Sequence, residues 1–254
     1  MSARSPRPSI AELRAATQPP SIFARNSGEH WAGRLYVRRA SPYLTRWLVG
    51  TRLTPNAVTW LMIAVGVAAA VLLAIPGVLP ALGAVVLIQL QILLDCSDGE
   101  LARWRRQFSP VGIYLDRLGH YVTETLFPIA LGIRCDEVTL GLVAALLALA
   151  VRTESALVAV ARLESGRARA EDTAAVAAPR SSLLARLRRA IGFFPFFRVF
   201  IAMEATLLAL LAAIVDAATD STDGTRVLVT AMVPIAAITA AGHLVAIVTS
   251  ERLR

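Results

Sequence analysis

The sequence predicts an all-α polytopic membrane protein with about six transmembrane helices, on three observations. Hydrophobic residues make up 56% of the 254 positions and mean hydropathy is +0.60, too apolar for an ordinary soluble domain of this length. Six apolar stretches, near 57–79, 81–103, 112–133, 138–161, 198–218 and 226–249, reach the roughly 20 residues that a helix needs to cross a bilayer. The basic residues, all of them Arg, fall in clusters between these stretches. A net charge of +8 and a pI near 10.8 therefore reflect membrane topology, and no nucleic-acid partner is expected.

The elements follow in order. Residues 1–34 are rich in Pro, Ser and Arg and read as a flexible cytoplasmic segment; with the first apolar run starting only after Asn56, no cleavable signal peptide is expected. Residues 35–52 interleave Arg38, Arg39 and Arg46 with Leu35, Tyr36, Tyr43, Leu44, Trp47 and Leu48, the pattern of an interfacial amphipathic helix. The span domain, 53–254, is punctuated by Pro76 and Pro80, by Ser109-Pro110, and by Arg134-Cys135-Asp136-Glu137. Arg38 to Arg52, Arg103 to Arg106 and the basic loop at 162–197 all belong to one side of the membrane, and by the positive-inside rule that side is cytoplasmic. Both termini and the basic ends of the second and third spans are then expected at the cytoplasmic face of a bacterial plasma membrane. Arg186, Arg188 and Arg189 before the Phe-rich run 193–197 suit anionic membrane lipids. Cys96 and Cys135 lack the spacing of a metal or disulfide pair.

Chemistry concentrates at the second and third spans. At 100° per residue Asp95, Asp98, Gly99 and Ala102 share one helical face, and Gly112, Asp116, His120 and Thr123 form a stripe on the next helix. Each carboxylate in a membrane helix costs about 2.5–3.5 kcal/mol on insertion scales, so three at one depth call for a counter-charge. A divalent cation, Mg²⁺ or Mn²⁺, meets that need with oxygen ligands and suits phosphoryl transfer.

Asp95, Asp98, Gly99, Ala102, Arg103, Gly112 and Asp116 stand at the spacing D-x2-D-G-x2-A-R-x8-G-x3-D, and in this respect the chain resembles the CDP-alcohol phosphotransferase (phosphatidyltransferase) family. The family motif ends x3-D, where this chain has His120. Thr54-Pro55-Asn56 with Thr59 resembles a further element of the family. The resemblance is close over 50–133 and architectural beyond. It implies a six-helix, usually homodimeric membrane enzyme of phospholipid biosynthesis. Such an enzyme moves a phosphate-linked group from a CDP-activated lipid or alcohol donor to a polar alcohol acceptor and releases CMP. It further implies that Asp95, Asp98 and Asp116 bind metal and the donor pyrophosphate. Thr54, Asn56, Gly99, Ala102, Arg103 and Gly112 would shape the nucleotide site, and His120, beside Asp116, would serve as base. The donor is expected to be CDP-diacylglycerol and the acceptor glycerol phosphate, inositol phosphate, serine or another polyol.

An imidazole with an ordinary pKa near 6.5 is a competent base at neutral pH, and as a nitrogen donor it would tilt the metal preference toward Mn²⁺ or Zn²⁺. Alternatives stay open: another base, such as Glu124; a soluble CDP-alcohol donor; or a noncatalytic scaffold or transporter-like relative. Arg152 and Arg198 are candidates to clamp an acceptor phosphate, with pairing to Glu154 or Glu204 as the competing role, and His243 is expected to be a packed, hydrogen-bonded helix residue.

Overall fold

The computed structural model describes residues 8–19, 33–166 and 202–249, and among these it is helical with no strand. The helices are α1 (Ile10–Thr17), α2 (Arg38–Val49), α3 (Pro55–Ala74), α4 (Val78–Arg105), α5 (Pro110–Arg134), α6 (Val138–Glu164), α7 (Ala202–Thr219) and α8 (Asp223–Thr249). By length and composition α3, α4, α6 and α8 can each cross a membrane. α5 carries Asp116, Arg117, His120 and Glu124 within its length.

The predicted spans recur as α3 to α8 with shifted ends. α3 stops at Ala74 instead of near 79, because Ile75 precedes Pro76 and Gly77 adopts φ +115°, a conformation that L side chains resist. Thr54-Pro55 and Ser109-Pro110 open α3 and α5 in the same way. Pro sits at the first helical position, where its missing N–H is no loss, and the preceding hydroxyl caps the turn: Ala57 N donates to Thr54 Oγ1 (3.2 Å) and Gly112 N to Ser109 Oγ (3.0 Å). After α4, α5 and α7 the chain turns through left-handed residues, Arg106 (φ 56°), Asp136 (φ 59°) and Asp220 (φ 48°).

The chain divides into two compact units, Met1–Ala68 with Val86–Val122, and Ala69–Val85 with Thr123–Arg254. In the first, Leu48, Val58, Met62, Ile63, Leu94 and Leu101 form a buried core. Gly119 lets α5 lie on α3 there: a Cβ would come 2.3 Å from Met62 Cε. Residues 8–19 depart from the flexible segment expected of the N-terminus. Ser9 and Glu12 close a capping box, Ser9 N donating to Glu12 Oε2 (2.7 Å) and Glu12 N to Ser9 Oγ (3.2 Å). Those bonds hold the Glu12 carboxyl below its usual pKa. Leu13 and Thr17 are fully buried, so this helix has a packed face despite its polar composition.

α2 occupies most of the predicted 35–52 segment, after a wide turn at Gly33–Val37. Its buried residues Ser41, Thr45 and Leu48 follow helical spacing, while Tyr43 and Trp47 are 62% and 63% exposed. Pro42 has no N–H for the carbonyl of Arg38, and Gln18 Nε2 donates to that oxygen instead (2.9 Å). At the other end the Arg105 guanidinium donates to the carbonyls of Leu48 (3.0 Å), Val49 (3.2 Å), Thr51 (2.8 Å) and Leu53, at the helix end and just beyond it.

The second unit repeats the device. Arg134, 4% exposed at the end of α5, donates to the carbonyls of Ile75 (2.7 Å) and Gly77 (2.9 Å) beyond the end of α3. Asp216 of α7 caps α8, accepting from Thr225 N (3.2 Å) and from the Thr225 hydroxyl. Arg226 meets Glu137 at 3.2 Å. α5 and α6 approach through glycines: a Cβ on Gly141 would stand 2.6 Å from the Pro128 carbonyl, and one on Gly132 2.8 Å from the Glu137 carbonyl.

These contacts set an expectation for stability. Gly141→Ala must push backbone from backbone and should lower the thermal midpoint of the detergent-purified protein by several degrees. Gly242→Ala, where nothing lies within 4 Å of the new methyl, should change stability by no more than about 1 kcal/mol in the same melt.

Candidate active site

α4 and α5 bring the predicted carboxylates together in the first unit. His120 Nε2 lies 3.3 Å from Asp95 Oδ1 and 3.8 Å from Asp116 Oδ1. Asp95, Asp116 and His120 each offer a ligand atom, and all three atoms lie within 4.8 Å of one another. Helical spacing explains the pairing on α5: residues four apart lie one above the other, so Asp116 and His120 share a face. Two carboxylate oxygens and an imidazole nitrogen converging in this way fit a divalent first-row cation or Mg²⁺ by donor type.

Asp98, which the sequence grouped with the metal ligands, stands outside that triplet. It is buried, and its Oδ2 accepts from Thr59 Oγ1 at 2.6 Å. Thr59 in turn is held on α3 by its own helix, within 3.2 Å of the Pro55 carbonyl.

The predicted nucleotide-site residues divide into two groups. Asn56 Nδ2 donates to Ser109 Oγ (3.3 Å), and a Cβ on Gly112 would lie 2.9 Å from Asn56 Oδ1, so the glycine is what lets the start of α5 approach Asn56. The Thr54 hydroxyl caps α3. Along α4, Gly99 lies beneath the Arg103 guanidinium, where a Cβ would stand 3.2 Å from Nη1; Ala102 is half-buried. Arg103 Nε donates to the Thr17 carbonyl at the end of α1 (2.7 Å). Helix α1 therefore touches the motif helix, a contact that composition had not suggested.

Of the acceptor candidates, Arg152 belongs to the second unit, where its guanidinium forms a two-pronged pair with Glu124, neither of the two acids, Glu154 and Glu204, weighed as its partner. Glu154 is engaged by His243, Nδ1 to Oε2 at 2.8 Å, so His243 is a hydrogen-bonded helix residue. Arg198, the other candidate, lies outside the described residues, as do the Arg186–Phe197 stretch and most of the basic loop. Cys96 and Cys135 are buried and in no disulfide.

Sequence reading missed Glu100. It sits between Gly99 and Leu101 in the motif, has no exposed surface, and accepts from Ser41 Oγ (2.6 Å), Thr45 Oγ1 (2.7 Å) and Gln18 Nε2 (2.8 Å). The available signal was a third acid in the turn that already carries Asp95 and Asp98.

The described residues are helical, four of the helices are long and apolar enough to cross a membrane, and α4 with α5 gathers two carboxylates and an imidazole at one point, donors able to hold a cation against a phosphate ester. Residues 52–185, just over half the chain, match the family model for CDP-alcohol phosphatidyltransferase, and the chain belongs to that family. No curated protein matches it significantly. It is accordingly a polytopic membrane protein of the phosphotransferase kind, taking a CDP-alcohol donor and an alcohol acceptor, in a family that in general depends on divalent metal.

The Thr59–Asp98 bond yields a prediction. Thr59→Val removes the hydroxyl and leaves a buried carboxylate oxygen without its donor, and should cost about 1–3 kcal/mol in stability. Thr59→Ser keeps the donor and should recover most of the loss in thermal unfolding of the purified protein.

Proposed function

We propose that the protein transfers a phosphatidyl group from CDP-diacylglycerol to a polar alcohol, releasing CMP, as a step of phospholipid biosynthesis at the cytoplasmic face of a bacterial plasma membrane. The observation that carries this reading is the convergence of Asp95, Asp116 and His120, with Asp98 anchored by Thr59, inside the span that matches the family. A lipid donor suits the apolar helices, through which it would enter laterally. Helix α2, with Tyr43 and Trp47 outward, is read as lying on the membrane surface. The homodimer is carried by the family resemblance.

In this reading Asp95, Asp98 and Asp116 hold Mg²⁺ or Mn²⁺, whose chemistry when bound is to neutralise charge on the donor pyrophosphate. Gly99, Ala102, Gly112 and Asn56 give the nucleotide its room, and Thr54 keeps the start of α3 in place for it. The acceptor oxygen forms the new bond to phosphorus as the bond to the CMP oxygen breaks. Nε2 of His120 takes the acceptor's hydroxyl proton, and the imidazolium so formed stands against Asp95 and Asp116, the two carboxylates nearest it. Arg152 and Arg198 are proposed for an acceptor phosphate, which would have to compete with Glu124 for the first of them.

Membranes carrying the wild type should release CMP from CDP-diacylglycerol when given a panel of polar acceptors and Mg²⁺ or Mn²⁺. Asp98→Asn and His120→Ala should each lose at least about a hundredfold, the usual scale for a positioned acid or base. Wild-type membranes that neither form CMP nor bind cytidine nucleotides would sink the reading in favour of a noncatalytic relative, and competition by soluble CDP-alcohols would reassign the donor.

A second reading of one residue is favoured by the approach of Nε2 to both carboxylate oxygens: His120 serves as a nitrogen ligand. The site would then prefer Mn²⁺ or Zn²⁺ to Mg²⁺, and His120→Asp would move the preference back toward Mg²⁺. Direct titration of purified protein with Mn²⁺, followed by electron paramagnetic resonance in competition with Mg²⁺, reads this without turnover; equal preference in both proteins returns His120 to the role of base.

A further inference from the structure

We propose that α1 and Gln18 form a positioning strap for the reaction site, setting the α4 turn that carries Asp95 and Asp98 through the buried carboxylate of Glu100. The proposal rests on the reading of those aspartates as the transfer site.

Glu100 is fully buried, and a carboxylate taken out of water is stable only where donors replace its hydration. Oε1 accepts from Ser41 Oγ and Gln18 Nε2, Oε2 accepts from Thr45 Oγ1, and Arg38 Nη1 stands 3.9 Å away. Ser41 and Thr45 lie four apart on one face of α2, so the carboxylate is held against that helix from both oxygens. Gln18 adds a second tie, because its amide also donates to the Arg38 carbonyl that Pro42 leaves without a helical partner. Three residues further along α4, Arg103 holds the Thr17 carbonyl.

Geometry turns this anchor into a positioning device. Glu100 lies about 200° around the helix from Asp98, so the two project from nearly opposite faces of the same turn. Thr59 holds one face through Asp98, and Gln18 with α2 holds the other through Glu100. A turn pinned on both faces has one rotational setting, and that setting fixes where Asp95 and Asp98 point. Loosening the outer pin moves the reacting groups without touching them, which lowers turnover more than donor affinity.

The test uses the full chain in nanodiscs, with hydrogen exchange and CMP release measured side by side on Gln18→Ala, Ser41→Ala and Ser41→Thr. Gln18→Ala should speed exchange in residues 8–19 and also in 95–103, and should lower kcat for CMP release about tenfold while the donor KM stays within about twofold. Ser41→Ala should act on 95–103 in the same direction, and Ser41→Thr, which keeps the hydroxyl, should restore protection and kcat. Faster exchange confined to 8–19, or a kcat unchanged by both alanine variants, overturns the strap. Should the wild type release no CMP, the transfer reading fails by itself. Exchange then decides the strap: loosening of 95–103 together with 8–19 sustains it, and loosening of 8–19 alone refutes it.

Discussion

The structure turns on keeping acids inside helices that are otherwise apolar. A carboxylate withdrawn from water needs donors or a cation: the buried Asp98 has Thr59 and the buried Glu100 two hydroxyls and an amide, while the partly exposed Asp95 and Asp116 share one imidazole. The last turns of α4 are held by these partners together with the apolar packing of Leu94 and Leu101. The glycines serve the same end, Gly112 by admitting Asn56 and Gly119 by letting α5 lie on Met62 and Ile63 of α3.

What the sequence made legible is what periodicity and spacing encode. Six apolar stretches gave α3 to α8 to within a few residues, and helical spacing alone placed Asp95 on a common face with Asp98 and Asp116 with His120. Ends moved where backbone conformation intervened, as at Gly77. The site was legible because its members are four residues apart or less on each of two helices.

The rest was hidden for a reason of distance. Gln18 and Glu100 meet across 82 positions, and nothing in the composition of residues 8–19 announces a buried Leu13 or a buried Thr17. Arg105 read as one of a cluster of charges marking a membrane side; its guanidinium also closes the end of α2. Arg152 offered a choice of acids, and the nearer in sequence was not its partner, because Glu154 two positions on projects from another face of α6, where His243 meets it.

The guanidinium clamps at Arg105 and Arg134 have one more consequence. Each bridges the closing turn of one helix to carbonyls at or beyond the end of another, and the planar guanidinium presents its donors in a fixed fork. A single side chain thus gathers carbonyls from a chain segment more than fifty positions away, Arg105 between Leu48 and Leu53 and Arg134 at Ile75 and Gly77. A lysine at either place would offer one ammonium where the guanidinium fork now ties two segments together, so these joints are specific to arginine.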